Sequence, residues 1–122
     1  MSCPSIARVI LYVKDIQAVA AFYERFFNMT PLPGATKGWL ELSGSSGGCT
    51  IALHQAAKSQ KSGAAIKVVF AVADVETFVE AKRREGLQFG PIHRPDGFEF
   101  ANAKDPAGNS ISVSSRGQTR ME

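Results

Sequence analysis

The chain has 122 residues, 44% of them hydrophobic and 20% charged. That is enough for one domain or two small halves, and too little for an α/β barrel or for a dinucleotide-binding domain with a catalytic partner. The net charge of +3 is small and scattered, with Lys82-Arg83-Arg84 the one local cluster, so nucleic acid is not an expected partner.

The N-terminus reads as neither a secretory leader nor a membrane anchor, and no apolar run approaches the length of a membrane span. A cytoplasmic location without a membrane partner is therefore expected. Two cysteines, Cys3 and Cys49, with no Cys-x-x-Cys spacing, argue against a disulfide framework and a zinc ribbon. Residues 8–16, Arg-Val-Ile-Leu-Tyr-Val-Lys-Asp-Ile, are apolar and β-branched up to Asp15, which predicts a strand followed by a helix capped by that aspartate. Ile16, Val19, Ala20, Tyr23, Phe26 and Phe27 then recur at helical spacing. Pro31, Pro33 and Gly34 break the chain. Strands are predicted at Trp39–Ser43 and Thr50–Gln55, with a turn over 44–48. A polar linker follows at 57–64.

Residues 67–75, Lys-Val-Val-Phe-Ala-Val-Ala-Asp-Val, repeat the first block 59 residues later, with Asp74 matching Asp15. Val75, Phe78, Val79 and Lys82 continue as a helix that Gly86 can stop. Gly90, Pro91, Pro95 and Gly97 break the chain again. Strands at 98–103 and 109–115 flank a turn at 105–108, and 116–122 form a polar tail. The pattern is two copies of one supersecondary unit, a first module at 6–56 and a second at 65–115, in a single domain.

Strand side chains alternate between faces. One face is apolar, with Val9, Leu11, Val13, Leu40, Leu42, Ile51, Leu53, Val68, Phe70, Val72, Ile111 and Val113. The other carries Arg8, Tyr12, Trp39, Glu41, His54, Lys67 and the serines at 110, 112 and 114. Phe98-Glu99-Phe100 fits either face. The plain reading of the second face is a solvated sheet. Tyr12, Trp39, Ile10 and Val69 are poor choices for open water and favour a sheltered pocket.

Several motifs then carry a resemblance: Val13-Lys14-Asp15-Ile16 followed by Phe22-Tyr23, the Asp74 copy, and Asp105-Pro106-Ala107-Gly108-Asn109 before the last strand. From Ile6 to Ser115 the chain resembles the vicinal oxygen chelate superfamily, which holds glyoxalases, bleomycin-resistance proteins and extradiol dioxygenases. The resemblance implies an α+β fold of two paired βαβββ modules, with a curved mixed sheet enclosing a cleft. It also implies metal ligands, which by register fall at Arg8, Lys67, Ala52 and Ser112. Arginine has no free lone pair for a cation, and lysine must first lose its proton. No metal and no cofactor are therefore expected.

The function implied is that of a metal-free binding protein that sequesters or senses a small molecule. Its expected binding residues are Arg8, Tyr12, Trp39, Glu41, Ala52, His54, Lys67 and Ser112. Arg8 and Lys67 are repeat-equivalent cations, so an anionic ligand, or Glu41, would neutralise them. His54 is expected to be partly buried with one hydrogen-bond partner. The alternative is a lyase, isomerase or dioxygenase-type enzyme with a relocated metal site, or with acid–base chemistry by Glu41 and His54. A third reading is an interaction module whose pocket has degenerated. The expected partners are the small molecule and a second copy of the chain in a homodimer.

Overall fold

Two aspartates set the helix starts. The carboxylate of Asp15 accepts the Ala18 N–H at 3.0 Å, and that of Asp74 accepts the Thr77 N–H at 3.0 Å. The Thr77 bond also holds the Asp74 carboxyl below its ordinary pKa. Each aspartate follows an extended segment, so strand gives way to helix at the same place in both halves. The computed structural model describes residues 8–44, 48–59 and 66–116. The 44–48 turn, the linker and the tail fall partly outside them.

The elements are β1 (Arg8–Val13), α1 (Ile16–Phe27), β2 (Thr30–Pro31), β3 (Trp39–Ser43), β4 (Thr50–Gln55), β5 (Lys67–Ala71), α2 (Val75–Arg84), β6 (Phe100–Lys104) and β7 (Ser110–Ser114). The class is α+β, as expected. The chain divides into two compact units, residues 1–62 and 63–122. In the first, four strands run in the order β1-β4-β3-β2, with β1 parallel to β4 and the other pairs antiparallel. In the second, the order is β5-β7-β6, with β5 parallel to β7.

In each unit one sheet face packs with the helix to form the apolar core. In the first, Leu11, Val13, Leu42, Ile51 and Leu53 are buried, together with Val19, Ala20 and Tyr23 of α1. In the second, Val75 of α2 is buried, as are Leu87, Phe89, Ala101, Ile111 and Val113. Burying a side chain of this size is worth about 1.5–3 kcal/mol, so these clusters hold each helix to its sheet. Gly86 ends α2 with φ +105, a conformation that side chains with a Cβ rarely adopt.

The halves differ in one respect. Among the described residues the second half has two strands after its helix where the first has three. The segment corresponding to β2 makes an isolated bridge, His93 to Phe100, bonded in both directions. Pro91 and Pro95 flank it and lack the N–H groups a longer ladder needs. β6 accordingly starts at Phe100, two residues later than the sequence predicts.

The turn between β6 and β7 is held by Asp105. Its Oδ1 accepts the N–H groups of Ala107 (2.9 Å) and Asn109 (2.8 Å), and its Oδ2 accepts the Asn109 side-chain amide at 3.1 Å. This local bonding sets the pairing of Lys104 with Ser110, and so the register of the whole hairpin.

Candidate functional site

The open face of the first sheet is built of cross-strand rungs. At one end Tyr12, His54 and Trp39 are register partners across β1, β4 and β3. Their rings meet, with centroids 5.1 Å apart for Tyr12 and His54, and 6.0 Å and edge-on for His54 and Trp39. The next rung is Ile10, Ala52 and Glu41. Beyond it, Arg8 pairs with Thr50.

Glu41 organises the polar end of this face. Its carboxylate accepts the Thr50 hydroxyl and, at 3.0 Å, the Arg8 Nε–H. The Thr50 bond first, and the Arg8 bond and charge after it, hold the Glu41 carboxyl below the ordinary carboxylate range. It is therefore an ionised acceptor near neutral pH, and Arg8 already has its counter-ion. His54 is not joined to this cluster, because its Nδ1 lies 2.9 Å from the Gln55 carbonyl oxygen. His54 is also exposed rather than partly buried: it stands near the end of β4, flanked by the Tyr12 and Trp39 rings. Ala52 is wholly buried, its methyl enclosed on the central strand between Ile10 and Glu41.

The second sheet repeats the design with different chemistry. Its rungs are Lys67–Ser110–Lys104, Val69–Ser112–Asn102 and Ala71–Ser114–Phe100. All five residues of the central strand β7 are buried, the three serines included. Ser112 donates to the Ala101 carbonyl oxygen at 3.0 Å. Lys67 donates to Asn102 Oδ1 at 3.0 Å, and Lys104 donates to Ser110 Oγ at 3.0 Å.

Over these rungs lies an open groove of about 470 Å³. Val69 and Ala71 line it on the β5 side, Ser112 and Ser114 along the middle, Phe98 and Phe100 on the β6 side, and Lys67 and Arg116 supply the charge. That volume falls within the range of small-molecule sites. Phe100 stacks with His93 (4.8 Å) and with Phe98 (6.1 Å), and the Arg116 guanidinium carbon sits 5.1 Å from the Phe98 ring centroid. Val69 is 56% exposed, large for an apolar side chain in the middle of a strand.

Of the residues singled out in the sequence, Arg8 and Glu41 meet one another, as do Tyr12, His54 and Trp39. Lys67 and Ser112 share the groove. Arg8 and Lys67 belong to different units, and each has a hydrogen-bond partner within its own. Sequence reasoning missed Phe98, Phe100, Asn102, Lys104 and Arg116. The available signal was the Asp105 turn: pairing Lys104 with Ser110 across it puts Asn102 opposite Ser112 and Phe100 opposite Ser114, which settles the face that Phe100 takes.

The ligand positions implied by the family resemblance do not suit a divalent cation. The Arg8 guanidinium is committed to Glu41, Ala52 offers a methyl, and the Lys67 ammonium is a donor to Asn102. The Ser112 hydroxyl is spent on a backbone carbonyl. Among the described residues no three His, Cys, Asp or Glu side chains gather as a metal site would require.

Residues 5–113 match the family model of the glyoxalase/bleomycin resistance protein/dioxygenase superfamily. No curated protein matches the sequence. Among solved structures the chain is similar to TnmS3, an antibiotic-binding protein from Streptomyces sp. CB03234, at 17% identity and a TM-score of 0.77, over 93% of this chain and 96% of that one. It is also similar to a glyoxalase/bleomycin resistance protein/dioxygenase from Nocardioides, at 20% identity and a TM-score of 0.76, over 93% and 84% of the two chains. A third similar structure is a glyoxalase/bleomycin resistance protein from the same Streptomyces strain, at 18% identity and a TM-score of 0.71, over 89% and 98%. At these identities the likeness is one of fold. No helix among the described residues is long and apolar enough to cross a membrane.

Proposed function

The chain belongs to the glyoxalase/bleomycin resistance protein/dioxygenase superfamily, and from that premise we propose that it binds a small molecule noncovalently, to sequester or sense it, in the groove over β5, β7 and β6. The observation that carries this reading is the groove itself. It combines exposed Val69 and Ala71, two phenylalanine rings and two cations around a central strand of serines. Open water favours no such combination on a sheet face. The antibiotic-binding TnmS3, similar in fold, lends support. An acid–base reaction by Glu41 and His54 has less behind it, because the Glu41 carboxylate is engaged by Arg8 and Thr50 while His54 is paired with a backbone carbonyl.

The test is thermal unfolding against a diverse small-molecule library, with the wild type beside Ala71→Trp, which fills the floor. A groove ligand at 100 times its dissociation constant adds about 2.7 kcal/mol to the wild type, a rise of several degrees in Tm. Ala71→Trp should lose that rise. A library that stabilises both proteins equally, or neither, rejects the reading. We also propose a symmetric homodimer, supported by the exposed apolar side chains Ile10, Tyr12 and Ile66. Sedimentation equilibrium showing only a 13.1 kDa species at micromolar concentration would reject it.

A further inference from the structure

The charges of the groove are all of one sign. Lys67 and Arg116 line it, and no aspartate or glutamate does. Lys104 stands on the same face, two strands across from Lys67, with Ser110 between them in register. Both lysines reach inward over the central strand, Lys67 to Asn102 Oδ1 and Lys104 to Ser110 Oγ. Elsewhere, Arg8, Lys82, Arg83, Arg84 and Arg94 all have carboxylate partners. Among the described residues Lys67, Lys104 and Arg116 form no ion pair, and neither do Lys14, Lys37 and Lys58 outside the groove. Adjacent strands lie about 4.8 Å apart, so the two lysine Cα atoms are about 10 Å apart across the rung. Two ammonium groups drawn toward each other over a sheet repel, and neutral oxygens offset that only in part.

The apolar surface lies at the other end. Four residue steps separate Lys67 from Ala71 along β5, a run of about 13 Å. The Ala71–Ser114–Phe100 rung closes that end, with Phe98 and Arg116 beside it. Val69 and Ser112 bridge the two regions. The groove thus carries two lysines at the Lys67–Ser110–Lys104 rung and the aromatic rings at its other end, where Arg116 lies over Phe98.

We infer that the groove selects planar aromatic anions, with the carboxylate, sulfonate or phosphate group held by Lys67 and Lys104 and the ring system packed on Val69, Phe98 and Phe100. This rests on the reading of the groove as a small-molecule site and adds the chemical class of its ligand. An anion between the two ammonium groups converts their repulsion into two charge-assisted hydrogen bonds. The phenylalanine rings supply apolar area and edge contacts to the arene.

The probes are 2-naphthoate and its neutral isostere 2-naphthamide, titrated into the ¹⁵N-labelled chain, with affinities from calorimetry. Two exposed cations should favour naphthoate by about tenfold at low salt, and the preference should shrink as salt is added. Both probes should shift the amides of residues 67–71, 100–104 and 110–114. Lys67→Met with Lys104→Met should remove most of the preference, and Arg116→Met added to them the remainder, with naphthamide affinity within about twofold of wild type throughout. Phe100→Leu should weaken both probes alike. Naphthamide binding in the groove as tightly as naphthoate overturns the anion selectivity and leaves the small-molecule site standing. If neither probe shifts those amides, the aromatic-anion class is wrong. If the library fails there as well, the small-molecule reading itself falls.

Discussion

Replacing Asp105 by alanine tests whether one buried side chain sets the register of the groove. Asp105 is 5% exposed, and its carboxylate accepts two backbone N–H groups and the Asn109 amide. Hydrogen bonds to a charged acceptor contribute about 1.5–3 kcal/mol each, but some of the freed donors will be hydrated. Asn109 is itself buried, so its N–H groups recover the least. A net loss of about 2–4 kcal/mol follows for Asp105→Ala. For a chain of this size that lowers Tm by about 6–20 °C. Asp105→Asn keeps an oxygen for the two backbone N–H groups but loses the charge and the acceptor facing the Asn109 amide, so it should lose about 1–2 kcal/mol, less than alanine. Urea unfolding followed by far-ultraviolet circular dichroism measures both variants against the wild type. An Asp105→Ala midpoint matching the wild type would show that the turn is held by something other than this carboxylate.

Three further outcomes are expected. The Glu41 carboxyl titrates below its ordinary value of 4.5, so the stability it contributes is present above that pH and is lost as pH falls through the folded-state pKa. The advantage of wild type over Glu41→Gln should thus be constant above about pH 5.5 and shrink below, and an advantage independent of pH down to about 2 would refute the assignment. Gly86→Ala should cost about 1–2 kcal/mol, since φ is +105 and no neighbour crowds the new Cβ, leaving backbone strain as the whole effect; an unchanged midpoint in thermal unfolding would contradict this. Chain purified without chelators should contain far less than one equivalent of nickel, zinc, iron or manganese by elemental analysis, because Arg8, Ala52, Lys67 and Ser112 offer a cation no usable donor set; near-equimolar metal would reverse the reading of those positions.

The first sheet was largely legible before any coordinates. Trp39–Ser43 and Thr50–Gln55 are strands with the bounds their alternation implies, and Arg8, Ile10 and Tyr12 do share the open face. Less visible was how neighbours treat each residue on that face. Ala52 is sealed because its strand is central, whereas His54 on the same strand is exposed because it stands near the strand end. Glu41 and His54, paired in the sequence reading as an acid and a base, take different partners.

The sequence alone determined the repeat, both helix starts, the apolar face and the chemical unsuitability of Arg8 and Lys67 as metal ligands. All of these follow from bonds and periodicities spanning a few residues: an aspartate reaching an N–H three positions on, or side chains alternating along one strand. The tertiary structure alone decided which side chains share a rung. Lys67 meets Ser110 and Lys104 only because β7 lies between β5 and β6, and Phe100 joins the groove only because Asp105 fixes the hairpin register. A slip of one residue there would turn Phe100, Asn102 and Lys104 to the opposite face with no change in composition. Cross-strand register is a property of residues far apart in the chain, and it is what assembles the lysine rung and the aromatic end of this groove.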